Sequence, residues 1–299
     1  ILILALFVAY FFGLNYTKVL SYGVFFSGVI QLLFLVYFSR KYYFPRVKLR
    51  YNFTYKVKSF LKKLLPSIFS SGVTQINILI GTIIASFQTG AVSYLYYADR
   101  VYQINLAIAG VAVSTVSLPL LSKEIKKGNV FKVKDIQNKS LELSLLLSIP
   151  AAAGLVIASY DIVNALFGYG SFEKKDVLKT SEALKYFGYG IPAFALVKVL
   201  SNLFFARGNT KTPFYISAII VFLNISVSLA FFNKVGFLII PIATTLSTWI
   251  GTFIYFGILA KKKFYETRGN STANILKIIL STTIMSIFLL IALNYFSSN

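Results

Sequence analysis

The chain reads as an all-α integral membrane protein, a polytopic helical bundle. Three observations predict this. Of 299 residues, 57% are hydrophobic and 13% charged, where soluble domains carry about a quarter charged. Mean hydropathy is +0.74. Apolar runs of the roughly 20 residues that a spanning helix needs recur along the chain, and none alternates as a barrel strand would.

Nine spans follow in order. The first, 1–14, is an apolar run with no basic leader, so it is not a signal peptide. The only methionine is Met285, and the chain is expected to be part of a longer protein. The second, 19–39, follows a short turn from Asn15 to Lys18. The third, 64–87, ends at the turn Gln88-Thr89-Gly90. The fourth, 91–121, is the longest and carries Asp99 and Arg100. The fifth and sixth, 141–167 and 183–205, flank the Gly/aromatic turn Gly168 to Phe172. The seventh and eighth, 214–232 and 237–260, form a hairpin about Asn233 to Gly236. The ninth is 273–296. Pro119, Pro150 and Pro192 fall inside spans and are expected to kink them.

The formal charge of +21 would suggest nucleic acid in a soluble protein. Here every second loop is basic. Arg40 to Lys63, Lys123 to Lys139, Arg207 with Lys211, and Lys261 to Arg268 alternate with short or mixed loops. The positive-inside rule places those basic loops in the cytoplasm, with Ile1 starting there and Asn299 outside. The segment 40–63 suits a topology determinant lying on anionic headgroups. Spans one–two and seven–eight share one hairpin pattern and orientation, which fits a parallel repeat of two lobes. Any two membrane hairpins share much of that pattern too.

Composition also narrows the chemistry. There is no Cys and no His, so thiolate sites and the commonest general base and metal ligand are missing. No G-x-x-x-x-G-K-[ST] occurs, so no phosphate-binding loop is expected. No constellation supports an enzyme, and no catalytic residue, metal or cofactor is assigned.

Arg100 is the most informative residue. A charge inside a span costs at least about 2.5 kcal/mol on insertion scales and usually faces a cavity. On a regular helix, Tyr96, Arg100, Gln103, Ala107, Gly110, Ser114 and Ser117 share one polar face. Val101, Ile104, Ile108, Val111, Thr115 and Leu118 form the opposite, largely apolar set. Asp99 and Arg100 are sequence neighbours about 100° apart, so Arg100 needs another partner. A guanidinium with free donors suits a diphosphate; the alternatives are an Arg snorkelling to headgroups or one paired to an acid elsewhere.

Lys198 sits inside span six, with Ser201 and Asn202 expected on its face. It serves either an interior ligand or a structural carbonyl or acid. Arg207 to Pro213 forms a tight turn, with Gly208 as C-cap and Pro213 opening the next helix. Asn224, Ser228, Thr245, Thr248 and Thr252 are helix glue or ion ligands, and with no nearby carboxylate, glue is the stronger reading.

Two motifs on separate spans then carry a resemblance. Leu65-Pro66…Gln75-Ile76-Asn77, Tyr96-Tyr97-Ala98-Asp99-Arg100-Val101-Tyr102-Gln103 and Gly110-Val111-Ala112…Leu118-Pro119 resemble the MurJ/MviN lipid II flippases. So do Gly190-Ile191-Pro192-Ala193-Phe194…Lys198 and Phe205-Ala206-Arg207-Gly208-Asn209-Thr210-Lys211-Thr212-Pro213. The resemblance covers almost the whole chain and implies a two-lobed flippase or exporter architecture, here truncated. It makes 1–43 the last two helices of the first lobe, 44–63 a basic cytoplasmic linker, 64–263 the six-helix second lobe and 264–299 an additional helix.

The resemblance further implies movement of an undecaprenyl-diphosphate-linked peptidoglycan precursor across the bacterial inner membrane by alternating access. Its partners would be that precursor, membrane lipids and cell-wall synthesis proteins, with no nucleic acid. Arg100 would engage the diphosphate, Asp99 would position the site, and Gln103, Tyr96, Lys198, Arg207 and Lys211 would be further substrate positions. Some relatives hold sodium with carboxylates; Gly81 and Ser228 stand at those places here, beside Asn224 and Thr244, which puts sodium coupling in doubt. The alternatives are an exporter of another polyprenyl-linked sugar or of a drug, and a non-transporting scaffold of a cell-wall complex.

Overall fold

The computed structural model describes residues 2–40, 55, 57, 58, 61, 75, 77–266 and 269–298. Among them there are helices and turns and no strand. Six helical stretches are long and apolar enough to cross a membrane: Tyr16–Ser39, Ala91–Lys126, Val130–Ile157, Lys174–Phe205, Lys211–Lys261 and Ser271–Tyr295. The 51-residue stretch among them is a hairpin of two helices. Most of the basic linker read at 44–63, and the start of the third span, lie outside the described residues.

The chain divides into the units Ile1–Lys56 and Val57–Asn299. In the first, α1 (Leu2–Phe11) and α2 (Tyr16–Ser39) pack as a hairpin. Asn15 caps α2 by accepting from the Thr17 and Lys18 amides at 3.1 and 3.4 Å. Nearly every apolar side chain on α2 is exposed, as expected of a helix solvated by lipid.

The second unit contains α3 (Asn77–Ser86), α4 (Ala91–Leu106), α5 (Val113–Lys126), α6 (Val130–Ile157), α7 (Ser159–Phe167), α8 (Lys174–Phe205), α9 (Lys211–Val235), α10 (Ile239–Lys261) and α11 (Gly269–Ser298). Helix α8 is its axis: α4, α5, α6, α7 and α10 all pack on it. In its apolar stretch 78% of residues are buried, against at most 28% in every other candidate span. Around it lie two apolar clusters, one near Leu184, Phe187 and Ile191 and one near Leu200, Leu203 and Phe204.

Three expectations about elements change. The fifth span begins at Val130 rather than 141, and it breaks at Ala158 into α6 and α7. The sixth begins at Lys174, where Glu173 and Asp176 form a capping box; apolarity shows where a helix enters lipid, while the cap shows where it starts. Helix α9 begins at Lys211, so Pro213 is its third residue. The Asn209 carboxamide accepts from the Thr212 amide at 3.1 Å and supplies the earlier start. Gly208 does end α8: it has φ +72°, and the Gly208 and Asn209 amides bond the Phe205 and Phe204 carbonyls in a Schellman motif.

Candidate functional site

Helices α4–α5 and α8 run parallel. Tyr94 Oη donates to Asp176 Oδ1 at 2.8 Å, Tyr102 stacks on Phe187 at 4.8 Å between ring centres, and Ser114 Oγ donates to the Lys198 carbonyl at 3.2 Å. Each contact steps the same way along both helices. Asn202 completes the seam: its Nδ2 bonds the Ser114 carbonyl (2.6 Å), Ser114 Oγ (2.8 Å) and Ser117 Oγ (3.1 Å).

Between α4 and α5 lies a π-helical turn, Ala107–Ala112. It divides the polar face expected on span four. Tyr96, Arg100, Gln103 and Ala107 are exposed, while Gly110 and Ser117 are buried and Ser114 is bonded into the α8 seam. A π turn adds a residue to the repeat, so 3.6-residue spacing carried across it predicts the wrong face. Burial follows steps of four from Val101 through Ala109, Val113 and Ser117 to Leu121. Gly110 lets the turn approach α8; a Cβ there would stand 3.1 Å from the Ala195 Cα.

Arg100 points out of the lobe. Its guanidinium carbon lies 4.6 Å from the centre of the Tyr96 ring, within cation–π range. Asp99 accepts a hydrogen bond from Gln103 Nε2, and it forms no ion pair with Arg100. Among the described residues, neither Arg100 nor Lys198 has a carboxylate within ion-pair distance. Lys198 is exposed, and Asn202 is buried against α5 rather than sharing its face.

The exposed residues of α8 beyond its first turn are Leu178, Glu182, Lys185, Tyr189 and Lys198. Leu178, Glu182, Lys185 and Tyr189 share one side of the helix, while Lys198 opens on the far side from them. Sequence reasoning missed Glu182, Lys185 and Tyr189. Of these only Glu182 lies outside the span read as 183–205.

Arg207 is placed elsewhere. Its Nη1 donates to the Leu203 carbonyl at 2.6 Å, its Nη2 to the Phe264 carbonyl at 3.3 Å, and its plane lies 4.4 Å from the Phe264 ring centre. Burial pulls its pKa down from the ordinary value, though a guanidinium stays cationic at neutral pH. Lys211 is exposed at the start of α9. These two residues belong to the helix turn, not to the open side of α4.

Asn224, Ser228 and Thr244 do come together, with Asn77. Asn224 Nδ2 donates to Asn77 Oδ1 at 2.7 Å, while Ser228 and Thr244 reach Asn224 Oδ1 at 3.4 Å. The set is neutral, largely bonded to itself, and joins α3, α9 and α10. It has the form of helix glue.

A polytopic helical lobe that holds Arg100 and Lys198 within its spans has the fold of a membrane transporter. Its fold matches a multidrug resistance MATE family transporter of the MOP superfamily in its outward-facing conformation, with TM-score 0.60, 17% identity, and coverage of 81% of this chain and 55% of that one. A closer match is lipid II flippase MurJ in an inward closed conformation, with TM-score 0.77, 29% identity, and 97% of this chain and 59% of that chain covered.

The family model for lipid II flippase MurJ matches residues 1–299, and the chain belongs to that family. Probable lipid II flippases MurJ of Rhizobium meliloti (strain 1021) and Rhizobium tropici are 35% and 38% identical over 277 and 266 residues. These matches cover 92% and 88% of this chain. The chain spans about half the length of these relatives, 52% and 50%.

Proposed function

We propose that this chain carries the second lobe of a lipid II flippase together with the end of the first. It would move an undecaprenyl-diphosphate-linked peptidoglycan precursor from the inner to the outer leaflet of a bacterial plasma membrane. The domain division expected from the sequence is kept: 1–43 ends the first lobe, 64–263 is the second, and 264–299 adds a helix. The basic loops face the cytoplasm.

The observation that carries this reading is Arg100, an exposed guanidinium within a span, ordered by Tyr96 and without an ion-pair partner among the described residues. A diphosphate cannot cross hydrocarbon uncompensated, and a guanidinium can grip a phosphoryl group through two parallel hydrogen bonds. Lys198 lies 14 positions further along the seam by its carbonyl's bond to Ser114, about 20 Å at 1.5 Å per residue. One diphosphate cannot touch both at once. The two cations suit successive stages of passage, Lys198 nearer the basic loops and Arg100 farther from them. Gln103 and Asp99 position the Arg100 side. A drug exporter for cations would favour an acidic open face, and this one is basic at both levels.

The test uses the full-length gene in a bacterium depleted of its own lipid II flippase. Wild type and Arg100→Ala are compared at matched membrane expression, reading lipid II that reaches the outer leaflet. Rescue by wild type alone supports the reading. Rescue by both keeps the function and removes Arg100 from it. Rescue by neither favours another substrate or a scaffold.

A further inference from the structure

We infer that Tyr96 is a positioning residue for Arg100 rather than a further substrate contact: its ring, buttressed by Tyr97, holds the guanidinium ready for the diphosphate. This rests on the flippase reading. The Arg100 guanidinium carbon lies 4.6 Å from the centre of the Tyr96 ring. The two residues are four apart on α4, and helical side chains lean toward the N-terminus, so Arg100 reaches back to the turn that carries Tyr96. Both are exposed. The neighbouring polar groups do not hold the guanidinium. Gln103 donates to Asp99, and among the described residues no carboxylate lies within ion-pair distance of Arg100.

The Tyr96 ring is itself anchored. It meets the Tyr97 ring edge-on, with centres 6.0 Å apart and planes at 77°. Tyr97 in turn lies 4.8 Å from the Phe167 ring at the end of α7 and 5.3 Å from the Phe172 ring in the turn before α8. Phe167 and Phe172 pack on the cluster that holds Leu184 and Phe187. A line of aromatic contacts therefore runs from the packed interior of the lobe to an exposed cation.

The chemistry of the partner matters. A carboxylate would also order Arg100, but it would cancel the charge and compete with the diphosphate for the N–H donors. A neutral ring attracts the cation and leaves the charge for the ligand. A long side chain ordered before the ligand arrives costs less freedom on binding. The Tyr96 hydroxyl takes no part in this.

The experiment uses the full-length protein in the same depletion strain and, purified in detergent, in a binding assay with undecaprenyl diphosphate. Tyr96→Leu is expected to raise the Kd about fivefold, the scale of a cation–π attraction at an exposed site. It should also lower outer-leaflet lipid II at matched expression, with Tm unchanged. Tyr96→Phe keeps the ring and should restore both. Added to Arg100→Ala, Tyr96→Leu should change the Kd no further. If Tyr96→Phe fails as Tyr96→Leu does, the hydroxyl meets the substrate and this inference is overturned. It is also overturned, with the flippase reading intact, if Tyr96→Leu behaves as wild type while Arg100→Ala fails, or if Tyr96→Leu still weakens binding without Arg100. If Arg100→Ala and Tyr96→Leu are both silent, Arg100 leaves the reading and this inference falls with it.

Discussion

Asn202 shows how one residue can be read correctly as polar and wrongly as to its role. Spacing placed it on the face of Lys198, toward either a ligand or a structural partner. Its carboxamide instead makes three bonds to Ser114 and Ser117, which join α8 to α5. Asn202→Ala should destabilise the purified protein by about 1 kcal/mol, the scale of interhelical hydrogen bonds in membranes. That would appear as a lower Tm with transport of the surviving protein retained. A loss of transport at unchanged Tm would return Asn202 to the substrate path. Arg100, Tyr96, Gln103 and Lys198 were all legible as polar residues inside spans.

At the scale of elements, the π turn at Ala107–Ala112 has the widest effect. It rotates the second half of span four, so Gly110 meets α8 while Ile108 and Val111 stay exposed. Gly110→Ala puts a Cβ 3.1 Å from the Ala195 Cα, which is backbone and moves only if the helices part. The expected cost is about 1–3 kcal/mol, the range for overpacking, read as a fall in Tm. Gly257→Ala on α10 is the control. Its Cβ meets nothing within 4 Å, and removing a helical glycine should leave stability equal or slightly raised. Equal losses at both positions would mean that glycine flexibility, not close approach, is what the π turn requires of Gly110. No residue type announces a π turn, so it could not be read from periodicity that assumes a regular helix.

At the scale of the whole molecule, the additional helix α11 is fastened to the second unit. The Glu142 carboxylate on α6 accepts from Ser271 Oγ and from Asn274 Nδ2, the latter at 2.9 Å. Just before α11, Gln137 Nε2 bonds the Phe264 carbonyl at 2.9 Å, Asn138 Nδ2 bonds the Glu266 carbonyl at 3.1 Å, and Lys134 pairs with Glu266. Burial, then the nearby Glu142 charge, raises the pKa of the Tyr265 phenol. It stays neutral, with its hydroxyl on Asn138 Oδ1 at 3.2 Å. Glu142→Leu should lower Tm by the equivalent of about 1.5–3 kcal/mol, since bonds to a charged acceptor are the stronger class. Glu142→Gln keeps an acceptor and should lose less. Equal losses would show that the charge itself holds α11.

The sequence by itself determined the class of fold, the order of the spans and the charge of the loops. Those properties follow from hydrocarbon as a solvent, which acts on each segment in turn and needs no partner segment. It also marked Arg100 and Lys198, because ionised groups in apolar runs stand out by composition alone. The tertiary structure decided which side of each helix is enclosed. Packing around α8 leaves few of its side chains open, the π turn sets which face of the second half of span four meets α8, and Arg207 is turned from a candidate ligand contact into a clamp on Phe264. These are relations between distant segments, and no local pattern encodes them.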